Sequence, residues 1–195
     1  MAENKTLPVG CVIMASGLST RFGSNKLLTP FGPGREPMLR RAFSATDTPL
    51  LASRVVVARS PEVETLCREV SVPCLLHALP GRNDTVRLGL EALLAERPDL
   101  AGCMFLPGDQ PLLQRESVES LLRAFAEHLR TQKETERIIF RLAYRAKDDP
   151  TPLVGSPVLF DSGYFPALRT LPEGKGGSFL LRQYPEQVHC FYTAH

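Results

Sequence analysis

No C-x-x-C pair, G-x-S-x-G, H-E-x-x-H or Walker pattern occurs in this chain of 195 residues. Their absence removes the usual signatures of cysteine-ligated metals, serine hydrolases, zinc proteases and P-loop NTPases. The five cysteines, Cys11, Cys67, Cys74, Cys103 and Cys190, are dispersed and mostly lie beside or within apolar stretches. Buried free thiols are therefore expected. His77, His128, His189 and His195 do not cluster with cysteines or acids, and each reads as structural or solvated. An excess of one charge is also missing: 23 Lys and Arg face 21 Asp and Glu, a net charge of +2. That balance implies neither a nucleic-acid partner nor a membrane partner, and it leaves room only for a local basic pocket. No stretch approaches the length of a membrane span, and Met1–Lys5 leads into no apolar leader core, so a cytoplasmic protein is expected. There is no internal repeat and no low-complexity tract. A single domain over 1–195 with a full core fits the length and the 43% hydrophobic content.

What is present is an alternation of short β-rich runs with amphipathic stretches. Val9–Ala15 reads as a central parallel strand, and further strands are expected at Arg54–Ala58, Pro73–His77, Gly102–Leu106, Ile138–Ala143 and Val188–Tyr192. Helices are expected at Glu36–Ala45, from Ser60-Pro61 onward, at Asn83–Glu96, at Arg115–Leu129 and at Ser178–Gln183. This order predicts an α/β fold with a mainly parallel sheet. The segment from Asp148 to Gly177 is rich in proline and glycine and reads as an insertion over the site.

Ligands in such folds sit at the carboxyl ends of the strands. Ala15-Ser16-Gly17-Leu18-Ser19-Thr20-Arg21-Phe22-Gly23-Ser24-Asn25-Lys26 follows the first strand and joins small residues to two cations. Small residues let backbone N–H groups approach an anion, and Arg21 and Lys26 supply the charge that a polyphosphate needs. Pro107-Gly108-Asp109-Gln110-Pro111 closes another strand. A carboxylate placed there suits Mg²⁺, which takes few protein oxygens and otherwise uses phosphates and water; capping of the turn is the other reading. Pro80-Gly81-Arg82-Asn83-Asp84-Thr85-Val86 either caps a helix through Asn83 or Asp84 or reads a base with its backbone and short polar groups. Gly155-Ser156-Pro157 is either plain turn chemistry or a backbone elbow against a second substrate. Glu173-Gly174-Lys175-Gly176-Gly177-Ser178 is either a loop or an anion site.

These residues resemble a known family. Met14-Ala15-Ser16-Gly17-Leu18-Ser19-Thr20-Arg21-Phe22-Gly23-Ser24-Asn25-Lys26 is similar to the L-A-A-G-x-S-x-R-M-G-x-x-K signature of nucleotidyltransferases, and Gly108-Asp109-Gln110-Pro111 to the G-D-x-P of the MobA-like branch. Gly155-Ser156-Pro157-Val158-Leu159-Phe160 resembles the G-x-P-x-x-F of its cytidylyltransferases. Arg82 to Leu90 resembles the R-x-D-S-V-x-x-G-L of methylerythritol-phosphate cytidylyltransferases. The resemblance implies a three-layer α/β/α Rossmann-like domain that moves an NMP, with CMP favoured, from an NTP to a phosphorylated acceptor and releases pyrophosphate. Molybdopterin is the acceptor implied, with a molybdenum enzyme as a further partner. Arg21, Lys26 and Asp109 would be catalytic, and Asp109 would hold Mg²⁺. Ala15, Ser16, Gly17, Ser19, Gly81 and Thr85 would bind the nucleotide, and Gly155, Ser156 and Pro157 the acceptor. Three departures stand out: Ser16 replaces a second alanine, Lys175 replaces the acid of a G-D-x-G, and the chain stops at His195, where relatives run into a D-x-D-T-P-x-D-like metal-binding segment. They leave two alternatives, a cytidylyltransferase for another phosphorylated small molecule or a catalytically impaired accessory protein that binds nucleotide or molybdenum cofactor.

Overall fold

In the computed structural model, residues 8–17, 25–131, 137–146 and 149–193 are described. The first strand is β1 (Val9–Ala15). It is apolar throughout because helices cover both its faces. Val9, Cys11 and Ile13 pack on one side, and Val12 on the other. On either side of it run β4 (Ser53–Ala58) and β6 (Gly102–Pro107), both parallel, with Val12 level with Val55 and Phe105. A small ribbon, β2 (Pro30–Phe31) with β3 (Glu36–Pro37), precedes helix α1 (Leu39–Ala45). The helix expected from Glu36 thus begins later. Pro37 is spent on the ribbon, across a turn in which Gly32 and Arg35 have φ of 73° and 48°, and Met38 N–H is tied to the Thr29 carbonyl at 3.0 Å.

Helix α2 (Pro61–Glu69) starts as its sequence demands, with Pro61 in the first turn and Ser60 Oγ accepting from Val63 N–H. Next come β5 (Cys74–Leu76), α3 (Arg82–Glu96) and α4 (Arg115–Thr131). Gly89 lets α3 lie tight on the sheet, since a Cβ there would stand 2.5 Å from Val12 Cγ1 and 3.0 Å from Val57 Cγ2.

The strands β7 (Ile139–Ala146), β8 (Asp149–Asp161) and β9 (Val188–Tyr192) complete a seven-stranded sheet of order β5-β4-β1-β6-β8-β7-β9. Helices α5 (Phe165–Arg169) and α6 (Ser178–Gln183) lie between β8 and β9 in sequence. One core joins α1, α2 and α4 to the sheet, and the other joins α3, α5 and α6 to the opposite face. The three-layer α/β/α architecture and the mainly parallel sheet are as expected.

The region expected to be an insertion from Asp148 to Gly177 is different. Its first half is β8, a strand inside the main sheet and antiparallel to both its neighbours β6 and β7. Pro150, Pro152, Gly155 and Pro157 obscure it in the sequence. The register explains how a sheet tolerates them. Between the pairs Arg141–Val158 and Ala143–Val154, β8 advances four residues while β7 advances two, and the same slip recurs between Tyr144–Leu153 and Ala146–Asp149. Each proline sits in one of these two bulges, where a ladder N–H is not required.

Cys11 and Cys103 are fully buried, and burial pushes the Cys11 thiol up to about 12 and the Cys103 thiol up as well. Such thiols are packing groups. Cys190 departs from the expectation of burial, being exposed on the edge strand β9.

Candidate active site

The carboxyl ends of β1 and β6, the start of α3 and the upper bulge of β8 surround a cavity of about 710 Å³. Ser16 and Gly17 enter from β1, Lys26 and Leu27 from the segment after the loop, Gly81 and Thr85 from α3, Asp109 from the turn after β6, and Gly155 and Ser156 from β8. All but Leu27 are expected site residues, drawn together from widely separated positions. Phe105, Val158, Phe160 and Leu181 form its apolar wall. Ala15 and Pro157, both expected at the site, are buried and do not line the cavity. Ser19 and Arg21 lie outside the described residues.

Lys26 Nζ stands 3.2 Å from Asp109 Oδ2, and the two side chains remain 40% and 41% exposed. A half-exposed pair of this kind contributes about 0–1 kcal/mol to stability. It is held in register instead by its surroundings: Asn25 Oδ1 accepts from Leu27 N–H at 3.1 Å, and Gly108 N–H donates to the Met14 carbonyl at 2.9 Å. A cation and a carboxylate that give up little on parting are well suited to exchange each other for a ligand.

Three further cations that the sequence reading did not single out as cationic site residues face the same space, namely Arg59, Arg82 and Arg141. Among the described residues, four cationic side chains and one carboxylate line the cavity, an excess of three positive charges. Arg141 projects from β7, and its Nε donates to the Gly155 carbonyl at 3.1 Å, which anchors the guanidinium across the bulge. A single arginine inside the apolar run Ile138-Ile139-Phe140-Arg141-Leu142-Ala143 was the signal that could have found it. Arg59 and Arg82 offer no such signal, since neither breaks an apolar pattern.

The capping expected of this segment falls to Asp84 and not to Asn83. Asp84 Oδ2 accepts from Gly81 N–H at 3.0 Å, closing the start of α3. Asn83 Oδ1 instead accepts from Gly174 N–H at 2.9 Å, tying the glycine-rich loop to α3. Gly176, Gly177 and Ser178 of that loop also line the cavity.

The imidazole of His77 lies beside Ser16, the first residue after β1. Its Nε2 is 2.9 Å from Ser16 Oγ, and Ser16 Oγ donates to the Val57 carbonyl at 3.0 Å. Burial and the Arg59 guanidinium hold this imidazole below its ordinary pKa, against the opposing pull of the Asp84 carboxylate.

The sequence pattern of the MobA-like NTP transferase domain matches residues 11–188. The chain belongs to the MobA-like NTP transferase family. Among curated proteins it is similar to the 3-deoxy-manno-octulosonate cytidylyltransferase of Polynucleobacter asymbioticus, 30% identical over 115 residues, covering 57% of this chain and 44% of that protein. The chain therefore matches less than half the length of such relatives. Its fold is similar to that of Rv0371c from Mycobacterium tuberculosis, with a TM-score of 0.72, 18% identity, and coverage of 95% of this chain and 88% of that one. Rv0371c has also been solved in complex with manganese, with a TM-score of 0.69, 17% identity, and coverage of 95% and 88%. CMP:2-keto-3-deoxy-manno-octonic acid synthetase complexed with CTP superposes with a TM-score of 0.71 at 15% identity, covering 96% of this chain and 90% of that one.

For a MobA-like protein the donor set decides what metal the site suits. Among the described residues no three His, Cys, Asp or Glu side chains come together to hold an ion. A lone carboxylate opposite cations cannot enclose a metal by itself. It does fit Mg²⁺, whose remaining positions are filled by substrate phosphates and water. No helix among the described residues is long and apolar enough to cross a membrane.

Proposed function

We propose that this MobA-like chain is a Mg²⁺-dependent cytidylyltransferase that moves CMP from CTP to a phosphorylated small-molecule acceptor, with molybdopterin the first acceptor to test. One observation carries the reading. Lys26 and Asp109 meet at 3.2 Å within a cavity whose other charged side chains, among the described residues, are Arg59, Arg82 and Arg141. That arrangement suits a polyanion delivered together with a divalent cation. Family membership supports the nucleotide, and the names of the curated relatives support cytidine. The manganese complex of Rv0371c supports a divalent ion in this fold.

In this reading the Ser16–Gly17 loop and the start of α3 hold the nucleotide, and Lys26 stands beside its phosphates. Asp109 would hold Mg²⁺, which when bound offsets negative charge on the phosphate oxygens. Arg141, braced on Gly155, faces the acceptor together with Ser156. An acceptor oxygen forms a bond to the α-phosphorus as the bond from that phosphorus to the bridging oxygen breaks, and pyrophosphate leaves with the electron pair. The protein supplies position and positive charge, and no covalent enzyme intermediate is required.

The test is to incubate the protein with each NTP, MgCl₂ and molybdopterin, and to measure pyrophosphate. Release with CTP is expected. The names of the curated relatives favour an acceptor of another class, the unphosphorylated sugar acid 3-deoxy-manno-octulosonate, whose reacting hydroxyl must also give up a proton to solvent or buffer, and it belongs in a parallel assay. Calorimetric binding of CTP without release from either acceptor would favour the accessory alternative. Neither binding nor release with any NTP would overturn the proposal.

A further inference from the structure

The contact between Ser16 and His77 favours one proton arrangement. The Ser16 hydroxyl owns one proton, and the Val57 carbonyl, 3.0 Å away, can only accept. With that proton on Val57, Ser16 Oγ accepts from His77 Nε2 at 2.9 Å, and both contacts are hydrogen bonds at once. In that arrangement the imidazole carries its hydrogen on Nε2. The other ring nitrogen agrees. His77 Nδ1 is buried with no hydrogen-bond partner among the described residues. A bare lone pair there is better tolerated than an N–H donor, because buried N–H groups left without an acceptor are rarer in folded proteins than under-satisfied acceptors. Both the opposite tautomer and the imidazolium would place such a donor on Nδ1.

The chain of bonds spans three strands. Ser16 is the first residue beyond β1, Val57 lies in β4, and His77 follows β5, held there by its N–H to the Ala58 carbonyl at 3.0 Å. Ser16 lines the cavity and His77 does not. We infer that His77 is a positioning residue for nucleotide binding: its Nε2–H and the Val57 carbonyl grip the Ser16 hydroxyl from two sides and fix the exit of β1 into the nucleotide loop. An alanine at position 16 could make neither bond. The small-residue loop is here braced by a side chain, and that brace requires a donor at position 77. This inference rests on the nucleotide reading above for its binding consequence but not for its proton arrangement.

Two measurements test it separately. In the ligand-free protein, ¹⁵N NMR of the histidine rings reports the tautomer directly. The Nε2–H form is expected for His77, with its Nε2 signal shifted in Ser16→Ala; a proton on Nδ1 near neutral pH overturns the inference whether or not nucleotide binds. In calorimetric titration with CTP and MgCl₂, His77→Ala is expected to weaken binding about fivefold, the factor that one net hydrogen bond implies. His77→Gln, whose side-chain amide nitrogen can take the place of Nε2, should return affinity to within about twofold of the parent. His77→Ala should add nothing on a Ser16→Ala background. If His77→Ala binds CTP as well as the parent does, or His77→Gln fails while melting normally, the positioning role is wrong. Absence of CTP binding in the parent protein itself counts against the proposed function instead, and the NMR result then decides the inference alone.

Discussion

The sheet divides into two parts that differ in how they are built and in how they read. From β5 to β6 the strands are parallel, each connected through helices, and each is built on a short run of apolar residues. From β8 to β9 the sheet turns on a long antiparallel strand carrying two bulges and three prolines. The parallel part brings Ser16, Lys26, Arg59 and Asp109 to the cavity, and the other part brings Arg141, Gly155 and Ser156. Regular strands place loops at one shared edge, which suits a phosphate-binding end. Bulges let a strand's own backbone turn toward the cavity, which suits contact with a second molecule. The cavity is the seam between these two styles of construction.

The comparison breaks if the two parts do not unfold together. Leu90→Ala on α3 and Phe160→Ala on β8 each empty a fully buried site in the same core. Each should cost about 2–5 kcal/mol in denaturant melts, with a single transition. Two separate transitions in Phe160→Ala would mean that the β8–β9 part is an independent unit. The next largest effect concerns the division of labour. Lys26→Ala should reduce pyrophosphate release about 100-fold or more with little change in melting temperature, by loss of a charge aimed at the reacting phosphates. Arg141→Ala should instead raise the acceptor KM about tenfold and leave CTP affinity within about twofold. An effect of Arg141→Ala on CTP affinity alone would erase the distinction between the two sides.

Smaller effects sharpen the picture of the parallel part. Gly89→Ala should cost about 1–3 kcal/mol in thermal melts, because α3 must lift from Val12 and Val57. The last concerns pH. His77 has its folded-state pKa held below the ordinary 6.5, with Arg59 and Asp84 acting on it in opposite directions. Because the unfolded chain takes up that proton first, His77 contributes stability above pH 6.5 that is progressively lost as pH falls through its folded-state value. The slope of stability against pH below 6.5 should therefore be shallower in His77→Gln than in the parent, and an unchanged slope would remove His77 from the account.

Legibility followed the same division. Val9–Ala15 and the Ser60-Pro61 helix start were readable because their local preference and their tertiary surroundings agree. Lys26 and Asp109 were readable because both follow apolar strands at positions where such folds gather their loops. β8 was hidden because Pro150, Pro152, Gly155 and Pro157 argue locally against a strand, and only the neighbouring register shows where the bulges absorb them. Glu36-Pro37 was misassigned because proline serves a helix start and a ribbon edge equally well. Arg59 and Arg82 were invisible as a group, since nothing but the folded sheet brings the end of β4 beside the start of α3. In the sequence His77 reads as structural or solvated. Its partner Ser16 was already in view, but no spacing rule links positions 61 residues apart.

The place of β8 between β6 and β7 also sets an order of events during synthesis. β7 leaves the ribosome before β8, yet it has no bond to β6 and can join the sheet only through β8. Until Val158–Asp161 have emerged, the outer edge of β6 stays open, so the sheet cannot grow past its fourth strand. In pulsed hydrogen exchange during refolding, the β6 amides bonded to β8 should gain protection together with Phe160 and Ile139, not before them. The strand that looks least like one in the sequence is the piece on which closure of the whole sheet waits.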